Sequence, residues 1–141
     1  HKWDVQNVTD MSQMFYRAAS FNQPLISWNV RNVKNMNEMF CEAASFNQPL
    51  SRWNVSQVTN MKCMFSTAAS FNQPLGRWDC RNVKNMAYMF GNARCFNQPL
   101  ITWDINNVEN VNNIFTGASS FKQRDTIRKF IDHEAYINDK D

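Results

Sequence analysis

The sequence predicts an α/β repeat fold, a solenoid of five 25-residue coils. Each coil is expected to hold a short parallel strand and a short helix, and a C-terminal capping helix closes the array. Three observations predict it. The stretch from Trp28 to Arg52 recurs, without insertion or deletion, in copies that start at Trp3, Trp53, Trp78 and Trp103. Self-similarity at such a fixed period marks a stacked array, in which each unit buries its apolar face against its neighbours. Within each unit the apolar spacing passes from alternate residues to a three-and-four pattern, the change from strand to helix. After the fifth copy the pattern decays into a different amphipathic segment, as expected of a cap. The division is therefore a repeat region over residues 1–125 and a capping helix with its tail over residues 126–141.

Each copy opens on Leu-x-x-Trp-x-Val, as at Leu25, Trp28 and Val30. Trp and Val two apart share one face of an extended segment, and both residue types favour strands. This strand is the expected spine, with Trp inward and Asp4, Asn29, Asn54, Asp79 and Asp104 pointing out. A turn follows, and Val8, Val33, Val58, Val83 and Val108 return to the core. Asp10, Asn35, Asn60, Asn85 and Asn110 then stand where a helix N-cap is needed, and their side-chain oxygens suit that role. Glu38, three residues after Asn35, has capping-box spacing. Met36, Met39, Phe40 and Ala43 give the i, i+3, i+4, i+7 stripe of a helix held by packing, because so short a helix is unstable alone.

The unit closes on Phe-Asn-Gln-Pro-Leu. Pro24, Pro49, Pro74 and Pro99 end any helix and extend the residue before them. Phe46 and Leu50 fill the core, and Asn47 serves the backbone of the corner in a ladder with its counterparts. In the fifth copy Val111 and Ile114 replace methionines, and Phe121-Lys-Gln-Arg-Asp replaces the corner. Ile127, Phe130, Ile131, Glu134 and Ile137 then recur near helical spacing with Asp125 as the expected N-cap, and Asn138 to Asp141 should fray.

Charge and cysteines narrow the classes of function. Of 141 residues, 19% are charged and the formal net charge is +3, too dilute for the basic footprint of a nucleic-acid binder. A mean hydropathy of −0.56 and the lack of a long apolar run exclude a transmembrane helix. His1-Lys2 leads straight into a repeat, so no signal peptide is read, and the first coil stands without a polar cap. Cys41, Cys63, Cys80 and Cys95 fall in four different columns, unlike a disulfide framework or metal site. Cys80 replaces a valine and reads as a small buried hydrophobe; Cys41 and Cys63, in adjacent coils, could meet. Unpaired thiols favour a reducing compartment.

The unit Trp-Asp/Asn-Val-x-Asn-Val-x-Asx-Met-x-x-Met-Phe-x-x-Ala-x-x-Phe-Asn-Gln-Pro-Leu resembles the BspA-like leucine-rich-repeat surface proteins. The likeness lies with the subfamily first noted in bacterial surface lipoproteins and covers all five copies. It implies a leucine-rich-repeat-like solenoid, exposure at the cell surface or secretion, and adhesive or protein–protein binding without catalytic residues. Such repeats also occur in protists and large DNA viruses. The scattered cysteines and missing signal peptide leave an intracellular or virus-associated location as the alternative. The shorter FNIP-type repeats share the Phe-Asn-x-Pro-Leu element at a different period and rank second.

A catalytic site should break the repeat, because a site is a local event. Every Trp, Met and Pro sits in a repeat column, as do all phenylalanines except Phe130. His133 beside Glu134 reads as part of a solvated helix face. Gly76, Gly91 and Gly117 are isolated, so no phosphate-cradling loop is visible. The Met-x-x-Met pairs could suit a soft metal and the Asx column calcium, but they read better as core and as a polar ladder. No enzyme, cofactor or metal is expected.

What remains is the surface that differs between copies. On the strand side the variable slots hold Lys2, Arg31, Lys34, Arg52, Arg77, Arg81 and Lys84, with Glu109 the main acid. Repeat proteins place specificity on such residues. Arg31, Lys34, Arg52, Arg77, Arg81 and Lys84 are therefore the candidate contacts for an unidentified protein partner, with no nucleic acid and no membrane insertion expected. The competing expectation is a structural protein, as in a surface layer, filament or virus particle, that self-associates end to end through the open first coil.

Overall fold

The computed structural model describes residues 3–140, so His1, Lys2 and Asp141 lie outside it. The 25-residue period reappears as a stack of tiers. Phe40, Phe65 and Phe90 lie ring on ring at 5.5 and 5.6 Å, and a second file runs through Phe46, Phe71 and Phe96. Within one tier the two rings meet at about 4 Å, as with Phe65 and Phe71. These files, with the valine, methionine and leucine columns, form one core.

The expected α/β solenoid does not form. Among the described residues there is no strand and no sheet, and the repeats contain no helix. This is not a leucine-rich-repeat solenoid. Parallel pairing is confined to isolated bridges joining Asp10, Asn35, Asn60, Asn85 and Asn110 in turn, in the expected N-cap column and away from Trp-x-Val. The Trp-x-Val segment fails as a strand because it is pinched between two turns. Trp53 N–H donates to Leu50 O, and Val58 N–H donates to Val55 O. The Asx residue between them takes a further donor: Asn29 Oδ1 accepts from Arg31 N–H, and Asn54 Oδ1 from Ser56 N–H. Side chains that bond their own backbone compete with a sheet ladder in this way.

The methionine segment fails as a helix for a different reason. Two residues per tier, four apart, have positive φ: Glu38 (58°) and Glu42 (59°), Cys63 (57°) and Thr67 (58°), Tyr88 (57°) and Asn92 (56°). Left-handed residues cannot continue a right-handed helix. The chain instead runs as successive turns, with Met39 N–H donating to Met36 O and Ala43 N–H to Phe40 O. The intervening amides cross between tiers. Met36, Glu38, Phe40 and Glu42 donate to the carbonyls of Asn60, Lys62, Met64 and Ser66 at 2.8–2.9 Å. Each such bond nets about 1 kcal/mol, which offsets a left-handed residue costing a similar amount. The N-cap column keeps its chemistry without a helix, since Asn60 Oδ1 accepts from Lys62 N–H at 2.9 Å. No capping box forms at Glu38, whose carboxylate instead accepts from Gln13 of the tier before.

The corner expectation holds, and the inward tryptophan column holds for the last three copies, whereas Trp28 is half-buried and Trp3 is exposed because no tier covers it in the described residues. Trp53, Trp78 and Trp103 are buried, each donating its indole N–H to a leucine carbonyl of the preceding tier. At the corner, Asn22 Oδ1 accepts from Asn47 N–H, and the bond repeats through Asn72, Asn97 and Lys122. The glutamines join this ladder, Gln48 Nε2 reaching Asn22 O and Oδ1.

Helix α1 spans Arg124–Asp139 and lies against the last tier. It starts two residues earlier than expected, Gln123 is its N-cap, and Asp125 sits within the first turn. Phe130 is buried edge-on to Phe115, and the buried Thr126 hydroxyl accepts from Leu100 N–H. Ile131, expected on the inner stripe, is 57% exposed. His133, expected in solvent, is half-buried with Nε2 2.8 Å from Val108 O. Asn138 and Asp139, expected to fray, complete the helix.

Candidate partner-binding surface

All six basic candidates are exposed, and the fold brings three of them together. Arg52, Arg77 and Arg81 line one depression of about 450 Å³ with Ser51, Trp53, Asn54, Val55, Ser56 and Asp79. Position in the repeat explains the meeting. Arg52 and Arg77 occupy the slot before Trp in successive tiers, and Arg81 occupies the slot after the Asx turn that follows Trp78. Asp79 Oδ1 accepts from Arg81 N–H, and its Oδ2 lies 3.1 Å from Arg81 Nε. That pair is largely exposed and contributes little to stability, but it orients one guanidinium. Arg52 and Arg77 make no ion pair among the described residues.

Lys84 belongs to another depression, of about 300 Å³, with Glu109, His133, Tyr136 and Lys140. Arg31 and Lys34 line neither. The six candidates thus divide into a cluster of three arginines and cations that lie apart from it.

Beside the cluster lies a feature that no motif in the sequence marks. A notch of about 520 Å³ is lined by Ser51, Pro74, Gly76, Arg77, Gln98, Pro99, Ile101 and Thr102, and shares Ser51 and Arg77 with the depression. Gly76 stands in the column of Ile26, Ser51 and Ile101, and its φ is not positive, so its backbone does not require glycine. A column read for size, with a missing side chain between Ser51 and Ile101, would have revealed it.

Chemically, the surface offers planar guanidinium donors suited to carboxylates. Among the described residues no group of three or more His, Cys, Asp or Glu side chains is placed to hold a metal. Cys41, Cys63, Cys80 and Cys95 are all free, and Cys80 is buried in its valine column. No helix among the described residues is long and apolar enough to cross a membrane.

A stack of turn-built 25-residue tiers defines a repeat protein. Residues 1–91 and 27–130 match the family described as Mycoplasma protein of unknown function, DUF285, and the chain belongs to that family. No curated protein and no solved structure matches it.

Proposed function

We propose that this chain is a non-enzymatic repeat scaffold for protein–protein recognition or adhesion, and that it binds its partner through the Arg52–Arg77–Arg81 face. One observation carries the reading: three guanidinium groups from neighbouring tiers converge on one depression, two of them without an ion-pair partner among the described residues. The repeating bonds beneath them make the backbone rigid, so little order has to be gained on binding. The resemblance of the repeat to BspA-like surface proteins is what supports exposure at the cell surface.

The test is capture of a partner from the native source by the wild type and by the Arg52→Glu, Arg77→Glu, Arg81→Glu variant. The exposed substitutions should leave the melting temperature nearly unchanged and abolish capture. Capture that survives all three reversals sinks the reading. Antibody labelling of intact cells tests the surface assignment, and labelling only after permeabilisation would reject it.

A second reading, end-to-end self-association, rests on the first tier. Trp3 is 60% exposed and stacked on Trp28, beside half-buried Phe15 and Phe21. The other end is covered by α1, so head-to-tail growth would require that helix to move. Light scattering over a concentration series decides it: a strict monomer removes self-association.

A further inference from the structure

The notch at Gly76 gives the arginine face a more specific chemistry. We propose that it holds a bulky aliphatic side chain of an extended partner segment, while Arg77 and Arg52 bind a carboxylate on the adjoining residues. This inference rests on the recognition reading above and names its ligand class.

Gly76 creates the recess. In its column Ile26 and Ile101 are 42% and 50% exposed, so the fold tolerates isoleucine there and gains outward apolar surface from it. At residue 76 that surface is missing, and Pro74, Pro99 and Ile101 become apolar walls around the gap. The polar atom nearest the floor is already paired: Thr102 Oγ1 donates to Gly76 O at 2.6 Å. The recess is thus predominantly apolar in what it offers a guest, and its volume is within the range of about 300–1,000 Å³ usual for binding sites.

Charge sets the guest's other half. Arg77 lines both the notch and the neighbouring depression, and Arg52 lines the latter. Neither has a carboxylate partner among the described residues, whereas Arg81 is held by Asp79. A guest with only negative charge would leave the apolar walls wet, and a purely apolar one would leave the arginines unused. An aliphatic residue followed by acidic ones satisfies both, with the guanidinium supplying a charge-assisted bond.

The experiment is fluorescence anisotropy with fluorescein-labelled Gly-Ser-Leu-Asp-Glu-Ser-Gly, compared with versions carrying Ser for Leu or Asn-Gln for Asp-Glu. Wild-type protein should prefer the parent peptide over each version by about tenfold, the effect of burying one aliphatic side chain or losing one good charged contact. Gly76→Ile fills the notch and should erase the leucine preference while keeping the acidic one; Arg77→Glu should erase binding. Ile101→Ser, at an exposed wall, gives the same loss of leucine preference by a second route, and melting curves confirm that each variant is folded. Equal binding of the three peptides by wild type, no saturable binding of the parent, or unchanged leucine preference in folded Gly76→Ile overturns the inference. Partner capture separates the two readings. If the triple arginine variant loses capture and Gly76→Ile keeps it in full, the notch is wrong and the recognition face stands; if the arginine variant keeps capture, both fall.

Discussion

Trp78 donates its indole N–H to the carbonyl of Leu50 at 2.9 Å, reaching from one tier into the tier before it. The same bond joins Trp53 to Leu25 and Trp103 to Leu75. Each of these three tryptophans therefore fills the core and gives a second donor to a carbonyl that already closes a turn, as Leu50 O does with Trp53 N–H. Trp78→Phe keeps most of the packing and removes one of the two donors to Leu50 O, which retains the Trp53 N–H, so it should cost about 1 kcal/mol. Trp53→Ala also opens a cavity and should cost about 3–5 kcal/mol. Trp3→Ala, at a residue 60% exposed, should lie within about 0.5 kcal/mol of wild type. Urea denaturation of the three variants checks the ranking, and a near-neutral Trp53→Ala would invert the assignment of the core.

Thr67 distinguishes the observed turns from the helix expected at the same place. Its φ is 58°, an uncommon conformation for a β-branched residue, and its N–H donates to Gly91 O at 2.7 Å. Thr67→Gly keeps that donor and relieves the backbone, so it should stabilise the protein by about 1 kcal/mol. In a right-handed helix the same substitution is destabilising. The sign of the change in denaturation midpoint is therefore the measurement, and a loss of stability would restore the helix.

The core was legible in the sequence, whereas the elements that carry it were not. Met36, Met39, Phe40 and Ala43 are all fully buried, as their stripe required. A chain of i to i+3 turns places residues three and four apart on one side much as a helix does, so the stripe alone cannot separate them. The separating signal lay in the columns: Asn92 and Gly117 share a repeat slot with Thr67, and Asn and Gly are the residues that most readily take positive φ. Gly117 does so at 75°, and a Cβ there would meet Asn92 Oδ1. The strand does not form because the Asx column does more than point outward. Its oxygens also accept the amides a strand would need. Of the candidate surface, Arg52, Arg77 and Arg81 are visible as variable slots, and Gly76 is visible only when its column is read for size against Ile26, Ser51 and Ile101. His133 was misplaced because Val108, which receives it, is 25 residues away.

The cysteines should differ sharply in reactivity. Cys95 is exposed, Cys63 half-buried, and Cys41 and Cys80 buried. Burial raises the Cys63 thiol and pushes Cys41 up to about 11, and it raises the enclosed Cys80 further. Because the thiolate is the reactive form, iodoacetamide at pH 8 should label Cys95 first, then Cys63, then Cys41, with Cys80 protected until global unfolding. Peptide mass spectrometry over a time course reads the order. Early labelling of Cys80 would show that its tier opens locally or that the column faces outward.

Asp10 gives the first tier a dependence on pH that its column mates lack. The Ser12 hydroxyl and the Ser12 N–H, the latter at 2.8 Å, hold the Asp10 carboxyl below its ordinary value of 3.8. Asn35, Asn60, Asn85 and Asn110 fill the same role without a titratable group. A depressed carboxylate pKa adds stability that is present above 3.8 and is lost as pH falls through the lower folded-state value. The group is exposed and solvent screens it, so the effect is small. Asp10→Asn should keep the turn at every pH, as the asparagines do in the later tiers. The stability of wild type relative to Asp10→Asn should therefore be greatest near pH 7 and decline below pH 3.8. Urea midpoints of the pair at neutral and acid pH check this, and a difference that grows as pH falls would mean that the carboxylate is not held by Ser12.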